Sequence, residues 1–154
     1  MSIVITLPGQ APIEIEHLAL DFTGTLSVDG RLQAGVAERL MALSELLEIT
    51  VITADTRGAA LAELAGLPLG VRLVRHGHDK AGLAARLGCA RLAAIGNGRN
   101  DIEMLEGAAL AIAVMGAEGT AAALLSAADV VAPDITSALD LLLHPVRLVA
   151  TLRD

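Results

Sequence analysis

A chain of 154 residues with 18 acidic and 11 basic side chains has a net charge of −7. That is room for one domain with a sizeable core, and the acidity argues against a broad nucleic-acid surface. Apolar residues make up 54% of it with Phe22 the single aromatic, so the core is expected to be Leu, Val, Ile and Ala. No apolar run reaches the roughly 18 residues of a membrane span, and "MSIVITLPGQ" lacks the basic start and long apolar stretch of a signal peptide. Cys89 is the lone cysteine and cannot form an internal disulfide. A reducing cytoplasm is therefore the expected compartment, with no membrane partner.

In chain order, "SIVITL" and "IEIEHLALD" flank the turn "PGQAP" and predict an N-terminal β-hairpin leading into the first core strand. "TLSVDGRL" carries Asp-Gly between short segments, a second small hairpin. Residues 35–47 put Val36, Leu40, Leu43, Leu46 and Leu47 on one helical face. "EITVIT" predicts a buried strand, and "TRGAALAELAG" a helix stopped by Gly66. Strand "VRLV", helix "DKAGLAARLG", strand "RLAAIG" and helix "NDIEMLEGA" follow, and "LAIAV", "AEGTAAALLSA", "DVVA" and "ITSALDLLLH" continue the alternation. "PVRLVATLRD" is an amphipathic tail whose shape the pattern leaves open. Short strands alternating with helices imply right-handed β–α–β units: a three-layer, Rossmann-like α/β domain over 1–154 with a mainly parallel sheet. Near-continuous apolar strands agree, since a central parallel strand is covered on both faces.

In such sheets ligands bind beyond the carboxyl ends of the strands. Four polar spots fall there: Asp21 after "HLAL", Thr53 closing "ITVIT", Lys80 after "VRLVRHGHD", and Asn97, Asn100 and Asp101 after "RLAAIG". Each has a job in handling phosphate. A carboxylate can attack phosphorus and form an aspartyl phosphate. A divalent cation relieves the repulsion between the two anions. A lysine and a strand-end hydroxyl orient the equatorial oxygens.

On these residues the chain resembles the haloacid dehalogenase superfamily. "LALDFTGTL" is similar to its first motif, "VIT" at 51–53 to its second, Lys80 to its third and "IGNGRNDIEML" to its fourth. Asp-x-Thr-Gly-Thr with G-x-G-x-N-D is most similar to the phosphorylation domain of P-type transport ATPases and the soluble proteins like it. The resemblance implies a magnesium-dependent phosphohydrolase with Asp21 as nucleophile. Asp21, the Thr23 carbonyl, Asn97 and Asp101 would hold Mg2+. Thr53, Ala54 and Asn100 would contact the phosphate, and Lys80 would balance the charge. A small phosphorylated substrate or a phosphoprotein would be the partner. Thr23 stands where most family phosphatases carry an acid–base aspartate, which implies slow turnover. Asn97 stands where the usual fourth motif has a metal-binding aspartate. Only "SVDGRLQ" separates the first motif from its helix, and Thr53 to Lys80 holds one helix and one strand. The expected domain is therefore capless, with an open site that a homo-oligomer would cover.

Other readings stand beside these. Thr23 and Asn97 also suit a degenerate domain that binds phosphate or a protein partner without turnover. Asp21 and Thr25 are compatible with a simple turn, and "GNGRN" with a dinucleotide loop lacking its last glycine. "HGH" at 76–78 is a candidate metal pair. Asp55 is a helix N-cap or a substrate contact. Cys89 is expected as a small buried filler.

Overall fold

A computed structural model describes residues 1–55 and 57–154. Strands β1 (Ile3–Ile5) and β2 (Ile13–Ile15) form the expected antiparallel hairpin, with Ile3 opposite Ile15. The core begins with β3 (His17–Leu20). Strands β4 (Ser27–Val28) and β5 (Arg31–Leu32) make the second hairpin. Its turn residues Asp29 and Gly30 have φ of 52° and 76°, the sign that a two-residue connection needs to match strand twist.

Helix α1 (Val36–Ser44) buries Val36, Leu40 and Leu43. It stops before Leu46 and Leu47, whose amides both donate to the Leu43 carbonyl in a tightened turn. The sheet continues through β6 (Glu48–Thr53) and β7 (Gly70–Leu73). Between them lies α2 (Ala59–Glu63), shorter than the expected helix, whose first residue, Thr56, lies outside the described residues. Helix α3 (Gly77–Gly88) starts two residues earlier than its apolar pattern suggests. The Asp79 carboxylate accepts the His76 N–H at 3.1 Å and satisfies that first turn. After β8 (Leu92–Gly96), a 3-10 turn (Arg99–Asp101) leads into α4 (Ile102–Glu106). Strands β9 (Leu110–Val114) and β10 (Val130–Ala132) flank a 3-10 segment, Ala122–Ala127, where the alternation suggested a helix. The glycine-containing loop before it, with Gly119 at φ 81°, delays its start to Ala122. Helices α5 (Ile135–Leu143) and α6 (Pro145–Leu152) end the chain. Pro145 opens α6, where its missing N–H costs nothing. No single helix among the described residues is long and apolar enough to cross a membrane.

The six-stranded sheet has the order β10-β9-β8-β3-β6-β7, all parallel. Leu18 and Leu20 of β3 face one apolar layer with Leu40 of α1, Leu139 of α5 and Leu148 of α6. Ala19 faces the other, with Ala84 of α3, Met104 of α4 and Leu124. This is the three-layer α/β arrangement that the alternation implied. From β3 the chain builds outward through β6 and β7, then returns to β8 on the other side of β3. The strand order therefore reverses between β3 and β8, the place where open α/β sheets hold ligands. Between Asp21 and α1 the chain makes only the β4–β5 hairpin. Between Thr53 and Lys80 the described elements are α2 and β7, so no inserted cap stands over this edge.

Candidate active site

Asp21 leaves the end of β3 at the reversal point and is buried, at 4% exposure. Its backbone N–H donates to the Ile95 carbonyl of β8 at 3.0 Å, which ties the two strand ends together. Lys80 reaches the same point from the first turn of α3 and is fully buried. Its Nζ donates to Asp21 Oδ1 and to Asp101 Oδ1, both at 2.6 Å. Small residues make this approach possible. A Cβ on Gly77 would lie 2.8 Å from the Asn100 carbonyl, so glycine lets α3 lie against the Asn97–Asp101 loop. A Cβ on Gly96 would lie 2.6 Å from the Asp101 carboxyl carbon, so glycine leaves room for that side chain.

Asp101 is wholly inside. One oxygen takes Lys80, and the other accepts the backbone N–H groups of Asn97 and Gly98 at 3.1 and 3.0 Å. The metal role expected for Asp101 would therefore have to be shared with these three hydrogen bonds. Through these bonds Asp101 shapes its own loop and anchors Lys80, with one lone pair of Oδ1 remaining.

One cation among two buried carboxylates leaves a surplus of negative charge. Burial, then the Asp101 charge, pushes the Asp21 carboxyl up to about 7, against the pull of Lys80 and the Thr25 hydroxyl. Burial works against the Lys80 ammonium, but the charges of Asp21 and Asp101 outweigh it and hold its pKa above the usual lysine value.

The fully buried Thr25 has its Oγ1 3.1 Å from Asp21 Oδ2 and 3.1 Å from Asn97 Oδ1. The hydroxyl has one proton for two acceptors. Lone pairs of Asp21 and Asn97 are thus left unsatisfied beside a net negative centre, a donor set that suits a hard, oxygen-seeking cation. These residues fit Mg2+ through Asp21 and Asn97, to which Asn97 would contribute an amide oxygen without charge. The Asn97 amide nitrogen donates to the Gly119 carbonyl at 3.1 Å. Gly24, at φ 74°, leaves space for it, since a Cβ there would lie 2.5 Å from Nδ2.

A cleft of about 360 Å³ opens above these groups, lined in part by Asp21, Thr23, Thr53, Ala54, Asn97 and Asn100. Every cleft position expected from the sequence is there except the two buried behind it, Lys80 and Asp101. Thr23 is exposed on the rim. Thr53 Oγ1 accepts the Asp55 N–H at 3.2 Å, and the Asp55 carboxylate in turn accepts the N–H groups of Ala60 and Arg57. Those bonds, Ala60 first, lower the Asp55 pKa. Gly58, not Asp55, is the N-cap of α2, and Asp55 braces the helix's first turn from four residues upstream while lining the cleft. The His76 and His78 rings stack 5.6 Å apart. Among the described residues no group of three metal-binding side chains forms, at "HGH" or elsewhere. Cys89 is exposed, not a buried filler, because it opens the surface 3-10 turn joining α3 to β8. Sequence reasoning missed Glu118, which lines the cleft from the loop after β9. Its place just beyond a strand end was the available signal.

Residues 83–137 match the haloacid dehalogenase-like hydrolase family. An uncharacterised protein of Methanocaldococcus jannaschii is 48% identical over 64 residues, 42% of this chain and 69% of that protein. The fold is similar to that of 3-deoxy-D-manno-octulosonate 8-phosphate phosphatase from Moraxella catarrhalis, solved with magnesium and phosphate ions. That likeness has a TM-score of 0.71 at 17% identity and covers 89% of this chain and 92% of that one. It is also similar to part of a zinc-transporting PIB-type ATPase, at TM-score 0.62 and 26% identity, covering 79% of this chain and 19% of the ATPase. With its four motifs in order around one strand-end crevice, the chain belongs to the haloacid dehalogenase superfamily of hydrolase enzymes.

Proposed function

We propose that this protein, read as a single domain over 1–154, is a magnesium-dependent phosphohydrolase that works through an aspartyl phosphate on Asp21. The observation that carries the reading is the pairing of Asp21 with the buried Lys80 at the strand reversal, with the Asp21 side chain lining an open polar cleft. Mg2+, held by Asp21, Asn97 and the Thr23 carbonyl, would supply the positive charge that lets a phosphate dianion approach a carboxylate. Asp21 Oδ2 attacks phosphorus, and the bond to the leaving oxygen breaks. Lys80 compensates the charge from behind, while Thr53, Ala54 and Asn100 hold the phosphoryl oxygens from the rim. Water then attacks phosphorus, returning the Asp21 carboxylate and inorganic phosphate. A threonine at position 23 cannot give or take a proton near neutral pH. Losing a placed acid–base group slows a step by about 10²–10⁴-fold, so turnover is slow and the phosphoenzyme persists. The substrate is a small phosphorylated metabolite, and the compartment is the cytoplasm.

A phosphate-release assay with acyl and aryl phosphates tests this. Magnesium-dependent release, acid-stable label trapped on Asp21 after rapid quench, and loss of both in Asp21→Asn are expected. Millimolar magnesium should also raise the melting temperature by linkage. Phosphate binding without release or label would make the domain a binder instead.

The cleft is uncovered, and Met115, Leu61 and Leu73 are exposed apolar side chains, Met115 and Leu73 at strand ends on this edge and Leu61 in α2. These features support self-association over the site. Light scattering at high micromolar concentration should give a mass above 15.7 kDa, and a monomer there would remove that part of the reading.

A further inference from the structure

Resting on the phosphohydrolase reading, we propose that Glu118 is a specificity-determining residue, a carboxylate held at the cleft mouth to meet the leaving group. Glu118 lines the same cleft as Asp21 and Thr53. Its Oε2 accepts the backbone N–H of Asp29, at the tip of the β4–β5 hairpin, at 3.3 Å. The loop that carries it is fastened on both sides. The Gly119 carbonyl accepts the Asn97 amide, the Ala121 N–H donates to the Asn97 carbonyl at 2.9 Å, and the Thr120 hydroxyl donates to the Val114 carbonyl at 2.7 Å. The Asn97 amide can face only one way. Turned over, its oxygen would meet the Gly119 carbonyl oxygen with no proton between them. An aspartate at position 97 would meet the same conflict, so the asparagine fixes the Glu118 loop as well as offering an oxygen to the cation.

The other carboxylates around this cleft are committed. Asp21 is paired with Lys80, and Asp55 is spent on two backbone amides. Glu118 has one oxygen on an exposed amide and the other without a hydrogen-bond donor among the described residues. No arginine or lysine lines this cleft among the described residues. A leaving group emerging past Glu118 therefore meets a hydrogen-bond acceptor and a negative charge. That favours phosphate monoesters whose alcohol carries an ammonium or hydroxyl donor, and disfavours those carrying a carboxylate.

The test compares kcat/KM for aminoethyl phosphate, glycerol phosphate and phosphoglycolate, with an aryl phosphate as reference. The wild-type protein should prefer the aminoethyl ester to phosphoglycolate, and Glu118→Gln should shrink that ratio about fivefold, the scale of one partly exposed charge. In the metal-free protein, Asn97→Asp should speed amide hydrogen exchange over residues 117–121, which Glu118→Gln should leave slow at Ala121. An unchanged substrate ratio in Glu118→Gln, with aryl phosphate hydrolysis intact, overturns this proposal alone. No Asp21-dependent hydrolysis of the aryl ester overturns the phosphohydrolase reading and this proposal with it. Unaltered exchange in Asn97→Asp removes the asparagine as the positioning residue.

Discussion

Lys80→Met should destabilise the metal-free protein by about 3–5 kcal/mol, the range for breaking a buried ion pair from one side. Methionine fills much of the lysine stem's volume, so the loss comes from charge and not from a cavity. Two carboxylates with almost no access to water would be left facing each other across the space where one ammonium now bonds both at 2.6 Å. For a chain of this size that energy is a fall in melting temperature on the order of 10 °C. Removing one of the stranded charges should give part of it back. The double variant Lys80→Met, Asp21→Asn is therefore expected to melt above Lys80→Met alone. Thermal denaturation of the two variants in chelator measures it, and a Lys80→Met protein that melts with the wild type would show that the triad carries no net stability.

In chelator, the wild-type protein should lose stability as pH rises from about 4 to about 7. The folded Asp21 pKa is about 7 against an ordinary value of 3.8. Between those values the folded state holds a proton that the unfolded state has released, so raising the pH favours unfolding. The Lys80 shift acts at the alkaline end: its folded pKa is raised, so its contribution is present below the ordinary lysine value and is lost as pH climbs past it. Asp21→Asn has no carboxyl to ionise. Its melting temperature relative to wild type should therefore be higher at pH 8 than at pH 5. Magnesium added at pH 8 should narrow the gap by stabilising the wild-type carboxylate. Parallel pH profiles for the two proteins would mean that Asp21 ionises in the fold as it does in the unfolded chain.

Much of the architecture was legible without coordinates because it is written in local patterns. Strand and helix periods from Ile3 to Leu143 appear in the expected order, and the Asp-Gly of the second hairpin takes the positive φ angles that its turn requires. Helix ends were less legible. Leu46 and Leu47 continue the apolar pattern of α1 but follow a turn, and the tail's helix depends on Leu148 finding the core.

What the sequence by itself determined is which chemistry stands at the strand ends: a carboxylate after β3, a hydroxyl closing β6, a lysine opening α3 and a polar loop after β8. Strand length and alternation set those positions within a few residues of each group. Only the tertiary structure decided where each group points. It bonded the Asp101 oxygens to Lys80 and the loop amides, set Asn97 between Thr25 and Gly119, left Cys89 on the surface and brought Glu118 to the mouth. The physical reason is sequence separation. Thr25 and Asn97 are 72 residues apart, and Asp29 and Glu118 are 89 apart. Their meeting depends on how separate loops pack over one sheet edge, and on glycines at 24, 77 and 96 that let them approach.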